Sequence, residues 1–289
     1  MIDFPEIIYL QTHSYCNFEC TICPYPKKAH SFEQGYMEDD LFYKITEEIT
    51  ANRDKVQYVR LMLQNEPFID KTLFKKVRYI KQICNTKVST TTNGSMINES
   101  IFEEMFESGL DTLGISLNAM EEETFKKITN SSEYNKIVEN IILLLKKKPE
   151  TLKVMLSFVI TRQNIDELKK FQQHWTNLGA ITRAYYANNR AGEYNNKNIF
   201  FLQNRDCNVP FREANILFNG DVILCRPDWD RRNIFGNLYD NTLQEIWNSE
   251  QYANFRENFK NRINTILPCK FCNRNGMKTI YTGLEGERL

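Results

Sequence analysis

Apolar and polar residues alternate with two different periods over the first part of the chain. Short apolar runs predict strands, and apolar residues at helical spacing between them predict helices. The strands are predicted at residues 6–11, 56–63, 87–92, 113–117, 154–160 and 181–186. The helices are predicted within residues 41–49, 73–80, 101–106, 137–145 and 165–175. This order is typical of a parallel sheet with helices packed outside it.

The number of strand–helix units limits the shape of this sheet. Six units are too few for a closed barrel of eight, so we expect an α/β fold with a partial, open (β/α)6 barrel over residues 1–200. After residue 200 the pattern changes. Two apolar triplets flank Asn219-Gly220, which favours a hairpin, and Leu243, Ile246 and Trp247 predict a short helix. We therefore expect a small α+β domain over residues 201–289.

Charge and hydropathy exclude several classes of protein. Lys+Arg and Asp+Glu both number 37 among 289 residues, so the balanced charge gives no basic surface of the kind that binds nucleic acid. The first residues lack the basic and apolar segments of a signal peptide, and no apolar run is long enough to span a bilayer. We expect a cytoplasmic protein with neither a nucleic-acid nor a membrane partner.

Eight cysteines point to metal chemistry. Seven form two groups and Cys84 stands alone; in a reducing compartment such groups bind metal more often than they form disulfides. The first group, Cys16, Cys20 and Cys23, follows the first predicted strand. Three thiolates can hold three corners of a four-iron cluster and leave one iron open to a small molecule. A zinc site or three unrelated core cysteines are the alternatives, and the position at a strand end disfavours both.

The C-x3-C-x2-C spacing, with Ile22 before the last cysteine, resembles the radical S-adenosylmethionine (SAM) superfamily. Three later segments also match, each at a predicted strand end: Leu63-Gln64-Asn65-Glu66-Pro67, Thr92-Asn93-Gly94 and Ile115-Ser116-Leu117-Asn118. The resemblance covers residues 6–190 and implies SAM as a cofactor. The contacts that it implies are Ile22, Asn65, Glu66, Asn93, Ser116 and Asn118. Asn65 departs from the family pattern, because it replaces a glycine.

The second group consists of Cys207, Cys225, Cys269 and Cys272. Four cysteines with a closing C-x2-C also occur in zinc ribbons, so the spacing leaves zinc open. The surrounding residues resemble the twitch/SPASM auxiliary-cluster domain of the same superfamily, at Asn219-Gly220-Asp221-Val222, Gly236-Asn237-Leu238 and Leu243–Trp247. That resemblance implies a second cluster, ligated at all four irons, and hence two [4Fe-4S] clusters per chain. A fully ligated cluster carries electrons or supports the site wall.

The resemblance implies reductive cleavage of SAM to a 5′-deoxyadenosyl radical that takes hydrogen from a small-molecule or peptide substrate. An external one-electron reductant of the flavodoxin or ferredoxin type is implied with it. The cysteine spacing and chain length resemble the radical dehydrogenases of antibiotic-sugar pathways such as the butirosin pathway. We therefore expect oxidation of a small molecule such as an aminosugar. The alternatives are an epimerase or maturase acting on a ribosomal peptide or carbohydrate, and a non-catalytic zinc-binding protein.

Three single residues bear on the choice among these functions. His13 precedes the cysteine loop and could bind or deprotonate substrate, and a hydrogen-bonded scaffold histidine fits equally well. Arg190, after the sixth strand, could bind an anionic group or pair with a carboxylate. Cys84 precedes the third strand, which places it at the amino ends of the strands as a buried inert thiol. This position disfavours an epimerase that uses a cysteine as hydrogen donor.

Overall fold

The strands of the protein form one mixed sheet in the computed structural model, which describes residues 3–193, 207–261, 269–272 and 279–283. The strands are β1 (Ile7–Leu10), β2 (Tyr58–Arg60), β3 (Lys87–Thr92), β4 (Thr112–Ser116), β5 (Lys153–Ile160), β6 (Ile181–Tyr186), β7 (Glu213–Ile216), β8 (Asp221–Ile223), β9 (Ile234–Asn237) and β10 (Ile280–Thr282). The α-helices are α1 (Tyr25–Lys28), α2 (Asp39–Ala51), α3 (Leu73–Cys84), α4 (Phe102–Glu107), α5 (Glu122–Thr129), α6 (Tyr134–Lys147), α7 (Leu168–Asn177), α8 (Val209–Arg212), α9 (Leu243–Trp247) and α10 (Glu250–Lys260).

The sheet order is β10-β6-β5-β4-β3-β2-β1-β7-β8-β9. Strands β1 to β6 pair in parallel with their sequence neighbours, as the alternating pattern predicts. Among the described strands the sheet does not close on itself, because β9 and β10 remain at its two edges. The prediction of a partial α/β barrel is therefore confirmed.

The C-terminal strands are not separate from the barrel sheet. Strand β7 pairs in parallel with β1, and the predicted hairpin of β7 and β8 extends the sheet from there. Strand β10 pairs in antiparallel fashion with β6 at the opposite edge. An open barrel has two unpaired edges, and each takes up a strand from the C-terminal region. The proposed boundary at residue 200 falls outside the described residues.

Four helices were not predicted from the pattern: α1 and α8, which are about one turn long, and the longer α5 and α10. Helix α5 buries only Phe125, Ile128 and Thr129 among otherwise charged and polar residues, so its apolar stripe is short. Helix α10 was missed for a similar reason, because few of its residues are buried. The predicted strand at residues 56–63 is also shorter in the structure, since β2 spans Tyr58–Arg60 only.

The two faces of the barrel strands differ in chemistry. The face toward the helices is apolar; Phe158 of β5 packs on Phe171 of α7 with ring centroids 4.8 Å apart, and Trp175 of the same helix is fully buried. The opposite face surrounds a lumen that opens at the carboxyl ends of the strands, where the cysteine loop lies. No helix in the described part of the chain is long and apolar enough to cross a membrane.

Candidate active site

A cavity of about 560 Å³ occupies the lumen and the carboxyl ends of the strands. It brings together most of the residues singled out from the sequence. They are Cys16, Cys20, Ile22, Cys23, Asn65, Glu66, Asn93, Ser116, Asn118 and Arg190. A site of this size at the carboxyl ends of parallel strands can take a cofactor and a small substrate together.

The cysteine loop is held in place by hydrogen bonds to its backbone. The Cys16 N–H donates to the Tyr25 hydroxyl at 2.9 Å, and the Cys23 N–H donates to the Cys20 carbonyl at 3.1 Å. The Thr21 N–H donates to the Ile128 carbonyl at 2.8 Å, near the end of α5. The next turn adds a bond from the Asn130 side-chain amide to the Glu19 carbonyl, at 2.9 Å. The loop is therefore braced by α5, a helix that the sequence pattern did not reveal.

Burial makes these thiols poor acids on their own. It raises the pKa of Cys16 to about 12, and it also raises the pKa of Cys20 and Cys23. Arg190 opposes this effect at Cys20 and Cys23, which places its guanidinium beside the loop. A bound metal stabilises thiolate far more strongly than one arginine does, because the ligand loses its proton on binding. The site is thus suited to a metal cluster.

Glu66 links the segment after β2 to the end of β3 through hydrogen bonds. Its carboxylate accepts hydrogen bonds from the Thr92 hydroxyl at 2.6 Å, from the Asn93 N–H at 2.6 Å and from the Phe68 N–H at 3.1 Å. Its own N–H donates to the Tyr15 carbonyl at 2.9 Å. Complete burial raises the pKa of Glu66 to about 7, although these three donors act in the opposite direction. A carboxyl group so placed controls the position of both strand ends.

Asn93 connects the third strand end to the cysteine loop. Its side-chain amide donates to the Asn17 side-chain oxygen at 2.8 Å, and its own oxygen accepts from the Ser95 N–H at 2.9 Å. Asn17 also donates to the Ser95 hydroxyl at 2.9 Å. Asn93, Asn17 and Ser95 thus form a closed polar triangle beside the loop.

Ser116 and Asn118 lie at the end of β4. Asn118 has a positive φ of 61°, and its side-chain oxygen accepts the Val159 N–H of β5 at 2.9 Å. The Asn118 carbonyl accepts from the Asn164 side chain at 2.8 Å. This left-handed conformation, which asparagine tolerates better than most residues, turns the chain away from the strand beside the cavity.

His13 lies beside the cavity, in contact with residues near its wall. It is fully buried, and it is not among the described residues that line the cavity. Its Nδ1 accepts the Tyr15 N–H at 3.1 Å, and its Nε2 lies 3.3 Å from the Asn65 side-chain nitrogen. Burial lowers its pKa, so the neutral ring is favoured. The position favours the scaffold interpretation of this histidine.

The four cysteines of the second group lie together beside the cavity. Burial raises the pKa of Cys225, and Cys207, Cys269 and Cys272 raise it further through their negative charge. The Cys272 N–H donates to the Cys269 carbonyl at 3.2 Å. None of the four is among the described residues that line the cavity, but Arg226, next to Cys225, is.

The loop after β6 packs on the second group. The Asn189 side chain donates a hydrogen bond to the Phe271 carbonyl, and a Cβ placed on Gly192 would lie 2.9 Å from the Phe271 Cβ. Gly192 also has a φ of 96°, which favours glycine. The segment that carries Arg190 therefore lies between the two cysteine groups.

Sequence analysis missed a group of charged residues in the lumen. Arg60 of β2, Arg183 of β6 and Arg226 after β8 all line the cavity. The guanidiniums of Arg183, Arg190 and Arg226 lower the pKa of Tyr185, even though burial alone would raise it. A charged residue at an alternate position of an otherwise buried strand was the signal available in the sequence.

Among the described residues, no three His, Cys, Asp or Glu side chains converge as the ligands of a single metal ion do. A four-iron cluster requires a wider arrangement, because each cysteine binds a different iron. Both cysteine groups are compatible with that requirement.

Comparison with known families covers most of the chain. Residues 10–174 match the radical SAM superfamily, and residues 207–273 match the SPASM iron–sulfur cluster-binding domain. These matches confirm both resemblances noted in the sequence.

Curated relatives include a probable GTP 3′,8-cyclase of Saccharolobus islandicus, 32% identical over 57% of this chain and 51% of that protein. A second, from Sulfurisphaera tokodaii, is 29% identical over 59% of this chain and 57% of the relative. The chain thus spans about half the length of the curated relatives it matches.

Solved structures share the fold over nearly the whole chain. BtrN in complex with AdoMet and 2-DOIA has a TM-score of 0.68 at 18% identity, covering 95% of both chains. Streptococcus suis SuiB bound to its precursor peptide SuiA has a TM-score of 0.72 at 13% identity, over 94% of this chain and 70% of SuiB. At these identities the likeness concerns the fold.

Proposed function

The chain belongs to the radical SAM superfamily and carries a SPASM domain, and from that premise we propose that it dehydrogenates a small molecule. Its cofactors are iron–sulfur clusters and SAM. When bound, these cofactors supply a 5′-deoxyadenosyl radical that removes a hydrogen atom from substrate. The rest of the proposal concerns what the residues of this chain do.

Cys16, Cys20 and Cys23 are the proposed ligands of the cluster that binds SAM. They face the cavity, and three thiols leave one iron for the cofactor. The Glu66 Oε2 accepts only the Asn93 N–H among the described residues, so it keeps a lone pair for the cofactor's amino group. Ile22, Asn65, Asn93, Ser116 and Asn118 line the same cavity and are the further proposed contacts.

Cys207, Cys225, Cys269 and Cys272 are the proposed ligands of a second cluster, and this group carries the choice of dehydrogenation. The four thiols lie close together and none lines the cavity within the described part of the chain. A cluster held there would supply an electron acceptor outside the cavity. In a dehydrogenation the substrate would lose two hydrogens in all, one as an atom to the deoxyadenosyl group and one as a proton, and the remaining electron would go to that acceptor.

Cys84 supports the same choice. It is 1% exposed in α3, and its sulfur lies 3.2 Å from the Thr50 hydroxyl of α2, outside the barrel. A thiol in this position cannot return a hydrogen atom to a radical in the lumen. An epimerase would need another donor.

Ring closure is a second candidate, because two curated relatives carry the name probable GTP 3′,8-cyclase. Their likeness extends over a little more than half of the chain. A ring closure that takes back its electron and proton leaves the substrate mass unchanged, so product mass separates the two reactions.

The test is anaerobic reduction of the holoenzyme with SAM and candidate substrates, with products analysed by mass spectrometry. We expect 5′-deoxyadenosine and methionine, and a product two hydrogens lighter than substrate. Cys84→Ser is expected to give the same product. A product with the mass of the substrate would overturn dehydrogenation in favour of ring closure or epimerisation, and the structure of that product would tell the two apart.

A further inference from the structure

Charged and polar side chains line a large part of the lumen, in contrast to the apolar side chains that face the helices. In β2, Val59 is fully buried toward the helices while Arg60 lines the cavity. In β6, Thr182 and Ala184 are buried and Arg183 lines the cavity. Closed barrels fill such inward positions with bulky apolar residues. A charged lumen around an open cavity is suited to binding rather than to packing.

Three lumen arginines are linked through shared tyrosine neighbours. The guanidiniums of Arg60 and Arg226 lie 5.5 and 4.2 Å from the centroid of the same Tyr9 ring. The Arg183 guanidinium lies 5.0 Å from the centroid of the Tyr185 ring. The charge of Arg226 also lowers the pKa of Tyr185. Arg226 thus shares one tyrosine neighbour with Arg60 and another with Arg183, and the three form the lumen arginine cluster.

The described residues supply little negative charge to this cluster. Arg60 and Arg183 form no ion pair in the described part of the chain, and the Nε atoms of all three arginines are buried without a hydrogen-bond partner there. Arg226 lies 3.4 Å from Glu213, at a geometry that leaves that Glu213 oxygen without a hydrogen bond. The other carboxyl group among the described residues that line the cavity, Glu66, accepts hydrogen bonds from three donors, and its remaining lone pair is assigned above to the amino group of SAM.

The tyrosine neighbours do not compensate for these charges, although Arg60 also donates a hydrogen bond to the Tyr9 hydroxyl at 3.1 Å. A cation–π contact is a weak attraction. Removing a guanidinium from water without a counter-charge costs more than such a contact returns. Arg60 and Arg183 are both partly exposed, so water can reach them from the open cavity. A substrate that displaces this water must replace its hydrogen bonds, and a group with negatively charged oxygens does so best.

We propose that the lumen arginine cluster of Arg60, Arg183 and Arg226 binds an oxyanion group of the substrate, a phosphate or a carboxylate. This inference rests on the proposed function, because it assigns a substrate class to the same cavity. It also narrows the expectation of an aminosugar, since a purely cationic amine would be repelled by the cluster. The bound oxyanion orients the rest of the molecule toward the cysteine loop at the open end of the lumen.

The test is calorimetric titration of the anaerobic holoenzyme at fixed ionic strength with three probes: inorganic phosphate, acetate and tetramethylammonium. We expect saturable binding of an anion at one site per chain and none of the cation. Arg60→Gln and Arg183→Gln are each expected to weaken anion binding about tenfold, whereas Arg60→Lys weakens it less. Arg78→Gln is the matched control, because Arg78 pairs with Glu107 at the surface. Phosphate binding tighter than acetate binding would identify a phosphorylated substrate, and the reverse a carboxylated one.

Absence of anion binding to the wild type would overturn the inference, as would equal binding by wild type, Arg60→Gln and Arg183→Gln. The wild-type measurement decides even where a variant does not fold. Release of 5′-deoxyadenosine by the reduced wild type is measured separately. Its failure would remove the proposed function, while failure of anion binding with normal release would remove only the oxyanion site.

Discussion

The two cysteine groups are built in opposite ways. The first lies within residues 16–23 of a single loop and is braced by one neighbouring turn, through Thr21 and Asn130. The second draws its members from residues 207–272, with α8, β7, β8, β9, α9 and α10 between them. Bringing the ends of the longer segment together costs roughly 2 kcal/mol more in chain entropy than closing the short loop.

Because of this difference, we expect the two cysteine groups to contribute differently to the reaction and to the stability of the fold. The first group needs only a loop that local hydrogen bonds already shape, so its loss affects the reaction more than the fold. The second group holds distant parts of the chain beside the segment of Asn189 and Arg190. Its loss therefore affects both the electron path and the order of the C-terminal region. Each prediction below tests one side of this contrast.

The largest effect is expected for the triple variant Cys16→Ala, Cys20→Ala, Cys23→Ala. Release of 5′-deoxyadenosine should fall below detection, because no thiolate remains to hold the cluster that binds SAM. Iron and sulfide content should drop from about eight of each to about four. Content of one zinc per chain in the wild type, found by metal analysis, would contradict both cluster assignments.

A smaller but broader effect is expected for Cys225→Ala. Formation of oxidised product should be lost, because the second cluster lacks one ligand, and SAM cleavage should fall less than product formation does. The thermal midpoint of the anaerobic protein should drop by roughly 5 °C or more, since metal binding there contributes to folding. An equal drop in the triple variant of the first loop would remove the proposed contrast between the groups.

Glu66→Gln is expected to change how stability depends on pH. Burial raises the pKa of Glu66 to about 7 in the folded protein, so between about pH 4.5 and pH 7 the folded chain holds a proton that the unfolded chain has released. This contribution to stability is present at low pH and is lost as the pH rises through that window, by roughly 1–3 kcal/mol.

Glu66→Gln cannot ionise, so its thermal midpoint should lack this part of the slope. Glu107→Gln, at an exposed surface ion pair, serves as the control and should follow the wild type. Parallel midpoint curves for wild type and Glu66→Gln between pH 5 and pH 8 would show that the carboxyl group does not titrate in this range. The amide should also weaken SAM binding, since it replaces an oxygen at the cofactor side.

The smallest effect is expected for Asn130→Gly, which tests the brace of the first loop. Asn130 has a φ of 55° and donates to the Glu19 carbonyl, so glycine keeps the backbone conformation and removes only the brace. Loss of iron to a chelator should become a few-fold faster. Asn85→Gly is the matched control, because Asn85 ends α3 with a φ of 50° and does not contact the loop. Equal rates in both variants would indicate that the brace does not matter.

The sequence alone determined the features that depend on residues close to one another along the chain. Six barrel strands, the hairpin around Asn219-Gly220 and the position of the first cysteine loop all follow from local periodicity and turn chemistry. The segments around Glu66, Asn93 and Ser116 were assigned to one site through their resemblance to the superfamily, and their positions fit that assignment, since the carboxyl ends of parallel strands meet at one edge.

Only the tertiary structure decided which distant segments meet. The pairing of β7 with β1 and of β10 with β6 depends on edges that exist only once the barrel has formed. The burial of His13 behind the cavity was equally invisible, because a lone histidine has no local pattern that distinguishes scaffold from site. The positions of the lumen arginines could not be predicted from the sequence either. Alternation along the strand indicates that Arg60 and Val59 face opposite sides of the sheet, but only the curvature of the sheet encloses the cavity on the Arg60 side.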